Sequence, residues 1–211
     1  MDIFTKKSLA LIFMIVCASW VAFARIVSPN FEPSSSDGGL EVAYNLPSSF
    51  VQYEVPKEQQ NEISVNKAFK GIFNGCEGEV RYLFFDETGT NGKPEITIYE
   101  SLILMSVAGT RMKVQKRGAY KAVAVKKSFN ADSGSFVSIV QPNSSFAAGY
   151  KYMYVDFFYK SGQGICARTF LYNDTAFVDG GDNSGADFYK NCAAFKFMKK
   201  NRKGNYIRPK R

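Results

Sequence analysis

The chain has 211 residues, with 27 Lys plus Arg against 19 Asp plus Glu, four Cys and no His. Without imidazole there is no Ser-His-Asp or Cys-His nucleophile pair, no His general base and no His metal ligand. The length suits a single domain able to bury a core.

Residues 1–24 have the three parts of a secretory signal. Lys6 and Lys7 form a basic stretch, Leu9 to Val21 an apolar run, and Ala22-Phe23-Ala24 a small-x-small site. The run falls short of the roughly 20 residues of a spanning helix, so cleavage after Ala24 is expected rather than an anchor. Lipidation of Cys17 fits poorly, because bulky Val16 precedes it. No later apolar run approaches spanning length, so the cleaved chain should have no transmembrane span. The expected location is secreted or periplasmic, in or at the cell envelope.

Residues 25–60 read as a flexible arm. Ser28 to Gly39 (SPNFEPSSSDGG) is rich in Pro, Ser and Gly, and Gln59, Gln60 and Asn61 mark a further polar break. Residues 61–195 then alternate short apolar runs with turns. The pattern predicts strands near Ile63–Phe69, Glu79–Phe85, Glu95–Tyr99, Leu102–Val107, Met112–Val114, Tyr120–Lys126, Phe136–Val140, Tyr150–Lys160 and Ile165–Tyr172. Asn91-Gly92 is a hairpin signal, Ser161-Gly162-Gln163-Gly164 joins the two longest strands, and Ala131 to Gly134 joins another pair. Many strands without intervening helices mean an all-β fold, an antiparallel sandwich or a barrel-like variant of it. An outer-membrane barrel fits less well. Tyr150 to Tyr159 and Leu102 to Met105 are apolar on both faces, whereas a porin-like strand alternates.

One C-terminal α-helix is expected at about 185–203, closing the domain. Ser184 caps it with Asp187 three residues on, and Phe188, Cys192 and Phe195 form one stripe at i, i+4 and i+7. Lysines follow near its negative end, and Gly204 terminates it.

The positive charge is concentrated at the end. Lys196 to Arg211 contains eight cations and no acid, while residues 25–195 hold 17 basic and 18 acidic groups. A near-neutral domain therefore carries a basic tail at 199–211. Lys199, Lys200, Arg202, Lys203, Arg208, Lys210 and Arg211 are the candidate polyanion-binding residues. No motif for specific nucleic-acid recognition accompanies them.

Three Cys remain after the signal. The preferred disulfide is Cys166–Cys192, which would pin the helix to the longest hairpin; Cys76–Cys192 is the alternative. The third thiol would be buried or would join two chains. A catalytic thiol would need activation by Lys, Arg or a helix end, and three Cys without His make a poor zinc site. No metal or cofactor is expected.

Asp179, Asp182, Asn183 and Asp187 could supply calcium oxygens, but their spacing departs from the EF-hand loop and suits turns and a cap. Lys93 in GTNGKP lacks the spacing of a phosphate loop. Asn143-Ser144-Ser145 and Asn173-Asp174-Thr175 match the glycosylation triplet. For glycoside hydrolysis the paired-carboxylate candidates are Asp86, Glu87, Glu100 and Asp156. Asp156 interrupts an aromatic run, and a buried carboxylate there needs Lys, Arg or Tyr beside it.

These features predict an exported, non-enzymatic binding protein of the envelope or exterior. Its partner would be an anionic surface, a polyanion or another envelope protein. A secreted hydrolase with paired carboxylates is one alternative. A structural surface subunit, assembling through strand edges or an intermolecular disulfide, is the other.

Overall fold

The computed structural model describes residues 40–42, 48–60, 63–73, 75–86, 96–175, 195–197, 199–200 and 206–207. The chain divides into residues 1–32 and 33–211, and every described residue belongs to the second unit. Alternating Tyr, Phe, Val and Ile build one antiparallel sheet of seven strands. Its order is β2 (Val51–Gln52), β3 (Lys67–Phe73), β4 (Cys76–Asp86), β8 (Gly164–Tyr172), β7 (Tyr152–Lys160), β6 (Ser133–Val140) and β5 (Lys113–Ala119). Two short pairs accompany it: β1 (Leu40–Val42) with β9 (Phe195–Phe197), and β10 (Lys199–Lys200) with β11 (Tyr206–Ile207).

The strand-rich, antiparallel expectation holds, but two helices are inserted into it. The described part of Glu95–Tyr99 (from Ile96) and Leu102–Val107, expected as two strands, form one helix, α1 (Ile96–Ala108). Ile103 and Val107 lie one turn apart and are buried together, a helical spacing hidden inside a continuous apolar run. Gly109 ends the helix in the left-handed region (φ 87°), and its N–H donates to Met105 O at 2.9 Å. Tyr120–Lys126, also expected as a strand, gives way to α2 (Ala122–Phe129). Its alternating Ala and Val mimic a strand, yet Val125 and Phe129 are the pair that packs, at i and i+4. Asn130 closes it with φ 53°. The Ala131–Gly134 stretch consequently leads from a helix into β6, of which Ser133 and Gly134 are part, and does not join two strands.

The described strands do not form two stacked sheets of like size, nor do edges β2 and β5 pair to close a barrel. Instead, each face of one open sheet is covered by other elements. On the first face Tyr82, Phe84, Tyr154, Phe158, Cys166 and Phe170 meet Val125 and Phe129 of α2 and Phe195 and Phe197 of β9. The opposite face presents Leu83, Val155, Phe157 and Leu171. There α1 and the short 3-10 turn Ser145–Ala147 lie, tied together by Ser144 Oγ donating to Val107 O and Asn143 N–H donating to Ala108 O.

The helix expected at about 185–203 is overturned where it can be compared. Residues 195–197 and 199–200 are strands, and 184–194 lie outside the described residues. Phe195 and Phe197 are buried on either side of exposed Lys196, a two-residue period. Their partner strand is β1, paired as Leu40↔Phe197 and Val42↔Phe195. That contact spans most of the chain, so no local pattern announces it. Residues 25–60, expected as a flexible arm, include both β1 and β2. Cys166 is a free thiol sealed in the aromatic face, where burial pushes its pKa up, so the Cys166–Cys192 bond is not formed. The side chain points into packed rings of the first face, and Cys192 lies outside the described residues.

Phe195 touches the rings of Tyr82, Phe129, Phe158 and Phe197 at centroid distances of 5.1–6.3 Å. Phe195→Ala should cost about 3–5 kcal/mol of unfolding free energy. Urea unfolding of the variant measures it. A loss below about 1 kcal/mol would mean that β9 is not part of the core.

Candidate functional site

Three polar constellations stand out, two buried and one on the surface. The first crosses β7 and β8, whose register puts Asp156 opposite Arg168. Arg168 Nε and Nη2 donate to Asp156 Oδ2 at 3.0 and 2.5 Å, and Tyr120 OH donates to the other carboxylate oxygen. The hydroxyls of Tyr120 and Tyr154 share a hydrogen bond of 2.7 Å. The guanidinium lies 5.0–5.9 Å from the ring centroids of Phe129, Phe158, Phe170 and Phe195. Burial pushes the Asp156 carboxyl up, against the pull of Arg168 and the hydroxyls. Burial disfavours the Arg168 cation too, but the facing carboxylate outweighs it and holds the guanidinium charged. Asp156 and Arg168 are 0 % and 1 % exposed, so no substrate reaches them. The need for a cationic or phenolic partner, read from the sequence, is met twice over.

The second constellation lies on the opposite face, where Glu79 and Arg81 are neighbours at i and i+2 on β4. Glu79 accepts from Arg81 Nε at 3.0 Å and from the hydroxyls of Tyr53 and Tyr150, and Lys70 Nζ is 3.8 Å away. Arg81 also donates to Phe146 O at 2.6 Å and Gln59 Oε1 at 2.7 Å, with its guanidinium 4.8 Å from the Phe146 ring centroid. Burial acts to raise the Glu79 pKa, but the bonds from Tyr150 and Tyr53 and the charge of Arg81 win, leaving it below the usual carboxylate range. Both phenols are pushed up, first by burial and then by the carboxylate. Glu79 forms part of the wall of a cleft of about 520 Å³, bounded also by Lys70, Cys76, Glu77, Tyr150 and Asp174. With its oxygens occupied and its pKa low, Glu79 is a fixed anion and not a proton donor. Sequence reading misses this centre because Glu79 and Arg81 alternate along β4 like solvent-facing residues.

The paired-carboxylate hypothesis fares differently. Glu100 is raised by burial and accepts from Ser135 Oγ at 2.9 Å, on the α1 face. Asp156 is on the other face, so these two acids do not flank a common space. No side-chain geometry is described for Asp86, and Glu87 lies outside the described residues. So do Lys93, Asp179, Asp182, Asn183 and Asp187. The Asn173 amide is engaged with Lys151 N–H and Gly149 O, at 2.8 and 3.0 Å. Among the described residues no group of three or more His, Cys, Asp or Glu could hold a metal, and no helix is long and apolar enough to cross a membrane.

The third constellation is on the surface. Lys199 and Lys200, from the candidate tail, form β10 and pair with Ile207 and Tyr206. Arg202, Lys203, Arg208, Lys210 and Arg211 lie outside the described residues. A second basic stretch is concealed when the charge of the body is averaged to near neutrality. Residues 101–131 contain seven cations and no acid. Lys113, Lys116 and Arg117 are on β5, Lys121 caps α2, Lys126 and Lys127 occupy its last turn, and Arg111 precedes β5. All seven are exposed. Among the described residues, the ion pairs are Lys70–Glu79, Arg81–Glu79, Lys160–Asp132 and Arg168–Asp156, and none involves this stretch.

Neither a protein-family model nor a curated protein sequence matches the chain. Among solved structures, it is similar to the solution structure of cyanobacterial PsbP (CyanoP) from Synechocystis sp. PCC 6803. The identity is 12 % and the TM-score 0.41, covering 80 % of this chain and 94 % of that one. A likeness at that score carries no argument about function, which rests on the chain's own residues.

Two variants test the buried centres. Asp156→Asn strands a buried guanidinium and should cost about 3–5 kcal/mol, whereas Asp156→Leu combined with Arg168→Leu should recover most of that loss. Urea midpoints compare them; a double variant as weak as the single would show that packing, not charge, is at fault. Glu79→Gln should cost a similar amount at neutral pH. Because the folded pKa of Glu79 is depressed, its contribution is complete above about pH 4.3, the unfolded value, and fades as pH falls through the folded one. Denaturation of both proteins across acidic pH should show their stabilities converging.

Proposed function

We propose that the chain is an exported, non-enzymatic binding protein, held to an anionic surface or envelope partner by its basic C-terminal segment. The observation that carries this reading is charge segregation. Eight cations and no acid lie from Lys196 onward, beginning within a strand whose Phe195 and Phe197 are locked in the core. A clamped strand followed by a run of cations without acids in its sequence suits attraction without a shaped pocket. The secretory pattern of residues 1–24 supplies the compartment in this reading, with cleavage after Ala24. The two buried ion-pair centres support binding over catalysis, since one is sealed and the other is a fixed anion. The residues assigned to contact are Lys199, Lys200, Arg202, Lys203, Arg208, Lys210 and Arg211.

Deleting residues 199–211 should lower the salt concentration at which the protein leaves a cation-exchange matrix. Elution at an unchanged concentration would overturn the role of the tail.

A further inference from the structure

We propose that the sheet edge formed by β5 and α2 is a second binding site, for a linear acidic polysaccharide running along the strand. The proposal rests on the exported, anion-binding reading above, but its residues are separate from those of the tail. Among the described residues β5 pairs only with β6, so its outer edge carries no described strand over seven residues, roughly 20 Å. A bulge between Val114 and Lys116 resets the alternation. Lys113 then lies opposite Val140 and Lys116 opposite Ser138, both on the face that α2 covers. Without the extra residue, Lys113 and Lys116 would point to opposite faces. Lys121, two residues after β5, stands at the start of α2 and Lys127 in its last turn, and both are exposed.

Two of the cations are held by contacts that leave their charge uncompensated. Lys113 Nζ donates to Gln141 Oε1 at 2.8 Å, and Lys116 Nζ lies 5.9 Å from the Phe136 ring centroid. The carboxylates nearest the stretch fall at its margins. Glu100 faces Arg117 on the α1 side, and Asp132, bonded to Lys160, acts also on Lys126. Lys113, Lys116, Lys121 and Lys127 remain without a counter-ion among the described residues.

The surface chemistry selects the occupant. A membrane-binding basic helix needs large apolar side chains turned outward, but α2 turns Val125 and Phe129 into the core. The large exposed hydrophobics of the stretch are Met105 on α1, Val114 on β5 and Val123 on α2, one to an element and too few for an apolar face. Nucleic-acid strands are gripped by aromatic platforms, and Phe136 and Tyr120 are half-buried in the ring stack instead. Exposed Lys on β5 and on the helix that follows it match a flexible rod of sulfates and carboxylates.

The test uses the full chain with heparin as probe, titrated at several salt concentrations. Four variants of one background are compared: unaltered, Lys113→Gln/Lys116→Gln/Lys121→Gln/Lys127→Gln, deletion of 199–211, and both changes together. The quadruple substitution should weaken heparin binding at least tenfold. It should also flatten the log K against log salt slope by about three, from roughly 0.7–0.9 counterions per cation lost. Binding within twofold of the unaltered chain overturns the proposal. So does tighter binding of the unaltered chain to vesicles with 30 % phosphatidylserine, or to duplex DNA, at equal salt. If the deletion alone abolishes binding and the quadruple variant is silent, the edge site fails while the tail stands. If the quadruple variant abolishes binding and the deletion is silent, the edge site stands and the tail fails. Circular dichroism melting confirms the fold, and Lys116→Gln/Lys121→Gln serves if the quadruple variant does not fold.

Discussion

Arg168 sits at 1 % exposure in the central strand β8, and it carries a charge that no ordinary pH removes. Such a group must bring an anion and a polarisable surround with it, or the fold fails. The surround comes from four separate parts of the chain: Phe158 on β7, Phe170 on β8 itself, Phe129 on α2 and Phe195 on β9. The anion comes from β7, directly opposite. A slip of one residue between β7 and β8 would send Asp156 to the other face and leave the guanidinium alone. The ion pair therefore enforces the register of the two central strands. The rings over it fix where α2 and β9 dock.

Glu79 and Arg81 do on the α1 face what Asp156 and Arg168 do on the aromatic one. Arg81 reaches the carbonyl of Phe146 in one short turn and the side chain of Gln59 in another, while Glu79 gathers Tyr53 and Tyr150. Irregular segments with few apolar residues of their own are thus tethered through charged hydrogen bonds, which are roughly twice as strong as neutral ones. The two arginines also lie on adjacent strands, Arg81 opposite Thr169 and Arg168 opposite Tyr82, so they point away from each other. Two buried cations can coexist in one sheet because its thickness separates them.

The sequence revealed the long strands well, because β4, β7 and β8 are rich in aromatic and aliphatic residues with turn residues between β7 and β8. It also revealed that Asp156 would need a cationic or phenolic partner. It failed where one local pattern has two solutions. The apolar run of α1 and the Ala-Val alternation of α2 are compatible with either period, and packing against the sheet decided for the helix. At 195–197 the failure was the reverse: an i+7 coincidence suggested a helix, while β1, far away in sequence, supplied a strand partner. The Glu79 centre was hidden for a related reason. Its four contributors, Tyr53, Glu79, Arg81 and Tyr150, are scattered over about a hundred positions and converge only through the topology.

The cations divide into two populations with different physics. Arg168 and Arg81 are buried, paired and silent toward solvent, while Lys113, Lys116, Lys121 and Lys127 stay in water without an ion-pair partner among the described residues. An open sheet edge invites pairing with any extended chain, and Lys along it raises the cost of a second basic edge approaching. The same charges lower the cost for an acidic polymer, which relieves their mutual repulsion and releases its own counterions. The edge is thereby closed to copies of itself and open to a polyanion. One arrangement of side chains accomplishes both, and the bulge that aligns Lys113 with Lys116 also twists the strand away from flat edge-to-edge pairing.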